Sequence, residues 1–466
     1  MSDCGCNDWM TSHRRTMLRR QGERVPLPRA VLEGATAGLS RRDFLRNGAI
    51  GFVTVYGAQA LSWSSIWEAA AASAATPATD PIIVSVFLDG GNDGLNTLVP
   101  ITGASYAAYQ TKRPHIRLDP AACLSLGGPA ASPDFAWNPA ATGFKQLYDA
   151  GKMAVMPAVD YQPPDLSHFH SRAFWQAGEL DPDPATGWLG RWIDQNGVAD
   201  NPLQALSVDW SLDGSLKSDD NPVAVLTSVD DAQFSLGNVW ADPSLMVGTL
   251  DSLSQRTAAS PGMEAADHAV GGAVSIANTL SGLPDVTLPP SGRGYDTTDP
   301  SWFERRLSML AWLISSGVGI RVACMSFDDG WDFHDSQKTR QGDNLTKLSR
   351  GLAAFQADLE ARGIADRVIT LVWSEFGRRV EDNDSGGGGT DHGAGGLAMA
   401  IGTGVNPGIA SEFPGIRDQD LDQWGNLKVP ADYRQIYTSL LEDWMGTDPA
   451  DVIPNASSYA KLPLVA

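Results

Sequence analysis

Residues 82–100 read IIVSVFLDGGNDGLNTLVP. The first seven are apolar except for Ser85 and rich in β-branched side chains, and the next six are Asp, Gly, Gly, Asn, Asp and Gly. A short run with apolar residues on both alternating faces suits a strand covered on both sides, as in a mostly parallel sheet. The polar, glycine-rich tail ends that strand in a tight loop.

Similar runs recur at 153–159 (MAVMPAV), 320–325 (IRVACM) and 368–373 (VITLVW), with a fifth at 397–401. Helical periodicity fills the intervals at 144–150, 302–315, 345–362 and 433–444. Strands alternating with helices predict an α/β fold, a mostly parallel central sheet with helices on both faces. Residues from about 180 to 300 break the rhythm: Pro, Asp, Ser and Gly are dense, and an Ala-rich helical stretch lies near 265–280. This region reads as an insertion or cap on a single domain spanning 79–466.

The N-terminus has a different character. Ser40-Arg41-Arg42-Asp43-Phe44-Leu45-Arg46 precedes an apolar run over 49–63 and the Ala-rich stretch EAAAASAATPA. These three parts resemble a twin-arginine export signal, so residues 1–78 read as leader, with the twin-arginine translocase as a partner. The expected location is the periplasm, the cell surface or the extracellular medium. The apolar run is shorter than the roughly 20 residues of a membrane span, so no stable span is expected in the mature chain. The chain has 34 basic and 55 acidic residues, nine and six of them within the first 75; 25 against 49 remain, a net charge of −24. Such a field repels phosphate backbones and argues against a nucleic-acid partner. After the leader only Cys123 and Cys324 remain, too few for a disulfide framework.

Working groups of an open α/β sheet gather outside the carboxyl ends of its strands. Four polar clusters fall there: Asp89 to Asn96; Ser167-His168-Phe169-His170; Asp328-Asp329-Gly330-Trp331-Asp332-Phe333-His334; and Ser374-Glu375-Phe376-Gly377-Arg378-Arg379, followed by Asp391-His392-Gly393. Four of the six His beyond the leader sit in these clusters. Carboxylate with imidazole is the donor set of divalent cations, so one or two metal ions (Zn, Mg, Mn or Ca) are the expected cofactor. Asp332 and His334 are two apart, on one face of an extended segment. Asp391 and His392 are adjacent and converge only where the backbone bends, which the following glycines permit. Trp331 reads as core. Nucleotide-loop spacing, haem motifs and iron–sulfur cysteine sets are all missing, which argues against an oxidoreductase.

The leader, VFLDGGNDGLNTLVP, the Ser-His-Phe at Ser167, TGWLGRW, GWDFH, SEFGRR and GTDHG together resemble the exported bacterial family called domain of unknown function 1501. That family is similar to the sulfatase and alkaline phosphatase superfamily. The resemblance implies an alkaline phosphatase-like fold and a metal-dependent hydrolase of phosphate or sulfate esters. It implies Asp89, Asp391 and His392 as ligands of one metal and Asp332 and His334 of another, with His168 as a substitute ligand. It implies Ser167 as nucleophile and Glu375 as a ligand or a base orienting His392. Arg378 or Arg379 would meet a small anionic ester, a surface glycan or a phospho-compound. The sequence departs from the superfamily in two ways: no His follows His392, and no Cys stands in the sulfatase motif. A non-catalytic exported surface or assembly protein with a structural metal site is therefore the alternative.

Overall fold

The computed structural model describes residues 79–198, 201–229, 243–255, 261–283, 286–383 and 387–466. The leader assigned to 1–78 lies outside them. The chain divides into two compact units, residues 52–233 with 272–466, and residues 1–51 with 234–271. In the smaller unit the described residues are the helix Pro243–Ser254 and the beginning of the helix Pro261–Ser281.

The larger unit holds a nine-stranded sheet of β1 (Ile82–Phe87), β2 (Met153–Asp160), β3 (Ala205–Ser207), β4 (Ala224–Val225), β5 (Val322–Ser326), β6 (Val368–Trp373), β7 (Gly396–Ile401), β8 (Gly408–Ile409) and β9 (Ala431–Asp432). The order is β8-β2-β7-β6-β1-β5-β3-β4, with β9 also on β2. Strand β1 pairs in parallel with β5 and β6, and β3 pairs in parallel with β5 and β4. Strands β8 and β9 are parallel to β2. Only β7 runs the other way, antiparallel to both β2 and β6. Its amino end therefore lies at the edge where the other strands have their carboxyl ends.

The opening stretch shows why the sheet is covered twice. Ile82, Val84 and Val86 of β1 join one core with Trp137, Phe144 and Leu310, while Ile83 and Phe87 join a second with Trp175, Trp188 and Tyr437. Successive side chains of a strand point to opposite faces, so the run must be apolar throughout. Each such side chain, fully buried, contributes about 1.5–3 kcal/mol. The first face carries helices α1 (Thr142–Asp149), α4 (Trp302–Ser315) and α5 (Gln337–Ala361); the second carries α2 (His168–Ala177), α3 (Trp188–Asn196) and α6 (Tyr433–Ser439).

Helix α4 starts at a capping box. Ser301 Oγ accepts from the Glu304 amide at 3.2 Å, and Glu304 Oε2 accepts from the Ser301 amide at 3.1 Å. The same buried Glu304 accepts from Arg350 Nη2 at 2.9 Å, tying α4 to α5.

Two expectations change. The region read as a cap also supplies β3 and β4, so part of it belongs to the sheet edge. These strands are two or three residues long, too short for a periodic signal. Helix α5 begins at Gln337 rather than at 345, because its first turns bury Gln337 and Gln341 rather than apolar side chains. A short antiparallel sheet of Leu98–Pro100, Leu124–Leu126 and Ser132–Trp137 was not anticipated. Trp331 is core, 1% exposed, and Cys123 and Cys324 are both free thiols. No helix among the described residues is long and apolar enough to cross a membrane.

Candidate metal centre

Loops from β1, β2, β5 and β6 and the approach to β7 meet at the carboxyl edge. They are stitched through the backbone: Leu88 N–H donates to Trp373 O at 2.8 Å, Phe327 N–H to Phe87 O at 2.8 Å, and Trp331 N–H to Asp89 O at 2.7 Å. Gly90 has φ +116°, and a Cβ there would lie 2.5 Å from the Asp332 amide nitrogen, so a side chain would push the β1 and β5 loops apart.

Two residues of the SEFGR stretch hold the Gly90-Gly91 backbone from opposite sides. The fully buried Glu375 carboxylate accepts the Gly90 N–H at 2.9 Å and the Gly91 N–H at 3.1 Å. Arg378 donates from Nε to Gly91 O at 2.8 Å, from Nη1 to Thr390 O at 2.9 Å, and from Nη2 to Gly90 O and Asp332 Oδ1. Its side chain is 1% exposed. The expected substrate-facing guanidinium is thus turned inward, where it satisfies carbonyls that the loop leaves unpaired. Arg379 donates to the Trp424 carbonyl.

Above this floor His168, Asp332 and His392 each offer a ligand atom, and the three atoms lie within 4.8 Å of one another. His392 Nε2 is 3.2 Å from Asp332 Oδ1, and His168 Nε2 is 3.7 Å from Asp332 Oδ2. His334 Nε2 reaches Asp332 Oδ1 at 2.9 Å and its Nδ1 reaches Asp391 Oδ1 at 3.1 Å. The Phe376 ring packs beside both His168 and His392, centroids 4.9 and 4.7 Å away.

The electrostatics centre on Asp332. Burial alone would raise its carboxyl, but hydrogen bonds with His168, His334 and His392 and the Arg378 charge hold it far below the usual carboxylate range. Burial opposes a charge on His168, yet bonds to Asp332 and Glu375 push it up to about 9. The bond to Asp332 raises His334 against burial. His392 goes the other way: burial, with Arg378 and His168 charges nearby, lowers it despite Asp332.

The geometry itself tests whether a metal fits. His392 Nδ1 lies 3.0 Å from Leu166 O, which only accepts, so Nδ1 carries a proton and Nε2 is the ring atom presented to the Asp332 carboxylate. His168 Nδ1 likewise donates to Glu375 Oε1 at 2.6 Å and turns Nε2 toward Asp332. Two imidazole Nε2 atoms converging on one carboxylate, each ring held by an acceptor behind it and able to ligate once a cation displaces the Nε2 proton, form a donor set suited to a divalent cation.

The grouping differs from the one the resemblance implied. Asp332 and His392, assigned to separate metals, share one cluster, and His168 completes it. Asp391 lies outside, its side chain 66% exposed beside His334. The bend expected at Asp391-His392 does not occur. His392–Gly393 is extended and pairs antiparallel with Gly377–Arg378, so adjacent side chains point apart. Asp89 is half-buried and outside the three-residue cluster, and Glu375 orients His168 rather than His392. Ser167 is the N-cap residue of α2 and makes no side-chain capping bond. The Leu166 carbonyl was missed, since a backbone group has no sequence signature.

The model of the family described as Protein of unknown function (DUF1501) matches residues 176–456, well over half of the chain. A solved structure of a TAB5 alkaline phosphatase mutant with Mg bound in its M3 site is similar at 10% identity and a TM-score of 0.26, covering 72% of this chain and 94% of that one. Comparison with curated proteins finds no match.

Proposed function

The chain belongs to the family described as Protein of unknown function (DUF1501), a membership that assigns no activity, and we propose that it is an exported, metal-dependent hydrolase of small anionic phosphate or sulfate esters. The observation that carries this reading is the convergence of His168, Asp332 and His392 from three segments far apart in sequence. Three protein ligands leave positions open, the pattern of catalytic sites rather than closed structural ones. A bound divalent cation supplies Lewis-acid polarisation of an ester oxygen and neutralises developing charge.

The chain's own groups do the rest. Glu375 and the Leu166 carbonyl fix the tautomers and directions of His168 and His392. Arg378 holds Asp332. Ser167, beside His168 at the amino end of α2, is the nucleophile of this reading, because a helix N-terminus favours an ionising hydroxyl. The twin-arginine leader supports export.

The test is metal content per chain, measured on protein exported through its own leader and purified without chelator, beside His392→Ala and Asp332→Ala. Stoichiometric divalent metal in the wild type, lost from both variants, is expected, together with ester hydrolysis that Ser167→Ala removes. Metal without hydrolysis of any phosphate or sulfate ester would favour the non-catalytic surface or assembly protein. Absence of metal from the folded wild type would end the reading. The same donor set also suits iron(II); iron as the bound metal would favour redox chemistry instead.

A further inference from the structure

Beneath the metal cluster lies a buried polar chain that the proposed chemistry does not use. It begins at Asp93, 3% exposed, and Arg113, 0% exposed, whose Nη1 and Oδ2 atoms are 2.5 Å apart. Arg113 donates from Nε to Val380 O and from Nη2 to Arg379 O, both at 2.9 Å. Gln337, at the start of α5, donates from Nε2 to Asp93 Oδ2, and its Oε1 accepts from Thr390 Oγ1 at 2.7 Å. The Gln337 backbone N–H donates to Gly388 O at 3.0 Å.

These contacts converge on one small hairpin. Arg113 grips the end of its first strand, Gly377–Arg378, and Gln337 with Thr390 grips the approach to its second, His392–Gly393. Thr390 is held on all sides: its N–H donates to Phe333 O at 3.1 Å, its carbonyl accepts from Arg378, and its hydroxyl donates to Gln337. Two residues further on is His392. A buried ion pair is weak evidence for stability, because desolvation offsets much of its attraction; its use here is register.

We infer that Asp93, Arg113, Gln337 and Thr390 form a positioning relay for His392, which sets the affinity of the cluster for a divalent cation rather than the stability of the fold. This rests on the metal reading. Removing only one partner of a buried hydrogen bond leaves the other unsatisfied, whereas replacing both with apolar groups of similar shape is close to neutral. The pair Gln337→Met with Thr390→Val therefore cuts the relay between Asp93 and the His392 strand; Asp93 Oδ2 keeps Arg113, while Gln341 Oε1 loses its donor, so a loss of stability accompanies the cut.

The experiment titrates zinc into metal-free full-length wild type, the double variant, Thr390→Ser and Tyr148→Phe, with thermal midpoints and amide exchange of the metal-free proteins measured alongside. Tyr148→Phe deletes a bond to Ala130 O outside the site and serves as the stability control. The double variant is expected to bind zinc about 10-fold or more weakly, the scale of lost outer-layer support. It should also exchange faster at residues 390–393, whereas Tyr148→Phe, whatever its midpoint, should keep wild-type zinc affinity and wild-type exchange there. Thr390→Ser keeps the hydroxyl and should bind like wild type, which also holds if the double variant fails to fold. Unchanged zinc affinity in the folded double variant, or a Thr390→Ser variant that binds zinc clearly more weakly than wild type, would overturn the relay alone. A wild type that binds no zinc would overturn the metal reading and the relay with it.

Discussion

Asp160, the last residue of β2, is 1% exposed, with no basic partner among its hydrogen bonds. Its Oδ1 accepts from the Tyr161 amide at 3.0 Å and its Oδ2 from the Gly395 amide at 2.9 Å. Burial pushes its carboxyl up to about 7; the two amide bonds oppose this, and the neighbouring Asp432 and Glu375 charges add to it. In the unfolded chain the value is about 3.9. Between these values the folded protein holds a proton that the unfolded chain has released, so stability from this group is full below about pH 4 and is lost as pH rises through about 7. A shift of about three units corresponds to about 4 kcal/mol at 1.36 kcal/mol per unit, of which about 3 kcal/mol falls between pH 5 and 8. The perturbation is Asp160→Asn. The amide oxygen keeps the Gly395 bond, while the NH2 group faces the Tyr161 N–H, a loss of about 1–2 kcal/mol at every pH. The assay is urea unfolding of both proteins from pH 5 to 8. The wild type should lose about 3 kcal/mol relative to the variant as pH rises, so that the asparagine protein becomes the more stable one above neutrality. Parallel stability curves would refute the reasoning.

Gly389→Ala should lower the thermal midpoint and weaken zinc binding together, because the new Cβ would lie 2.2 Å from the His334 carbonyl carbon and 2.6 Å from the Asp335 amide nitrogen. Backbone cannot yield as a side-chain tip does, and about 1–3 kcal/mol or more is expected; an unchanged midpoint would contradict that packing. Burial, with the Asp119 charge, pushes the Cys123 thiol up to about 11, and burial pushes Cys324 well above its ordinary value. In the leader-free protein neither thiol should react promptly with an aromatic disulfide at pH 8, and both should react at once in denaturant. Prompt labelling of Cys324 in the folded state would be inconsistent with its place in the core.

Much of this fold is legible because its signals are local. The runs at 82–88, 153–159 and 368–373 are apolar on both faces, which a doubly covered strand cannot avoid, and helix Trp302–Ser315 carries both an apolar face and its own capping box. The first turns of Gln337–Ala361 were illegible for the opposite reason. Gln337 and Gln341 are buried for their hydrogen bonds to Asp93 and its neighbours, and buried polar residues mimic a surface turn in hydropathy. The two-residue strands Ala224–Val225 and Ala431–Asp432 carry no period at all.

The sequence by itself determined the chemistry at the strand ends: which loops carry Asp and His, and that they follow buried strands on one edge. Tertiary structure decided which of them meet. Strand β7 runs against its neighbours, and that reversal brings the segment preceding it, with His392, to the carboxyl edge beside Asp332 and His168. Extended pairing with Gly377–Arg378 then turns His392 inward and leaves Asp391 outside. Strand direction and register come from hydrogen bonds to other segments, some near in sequence, as Arg378 with His392, and some far, as Met153 with Ile401, and the pattern of side chains along one segment does not encode them.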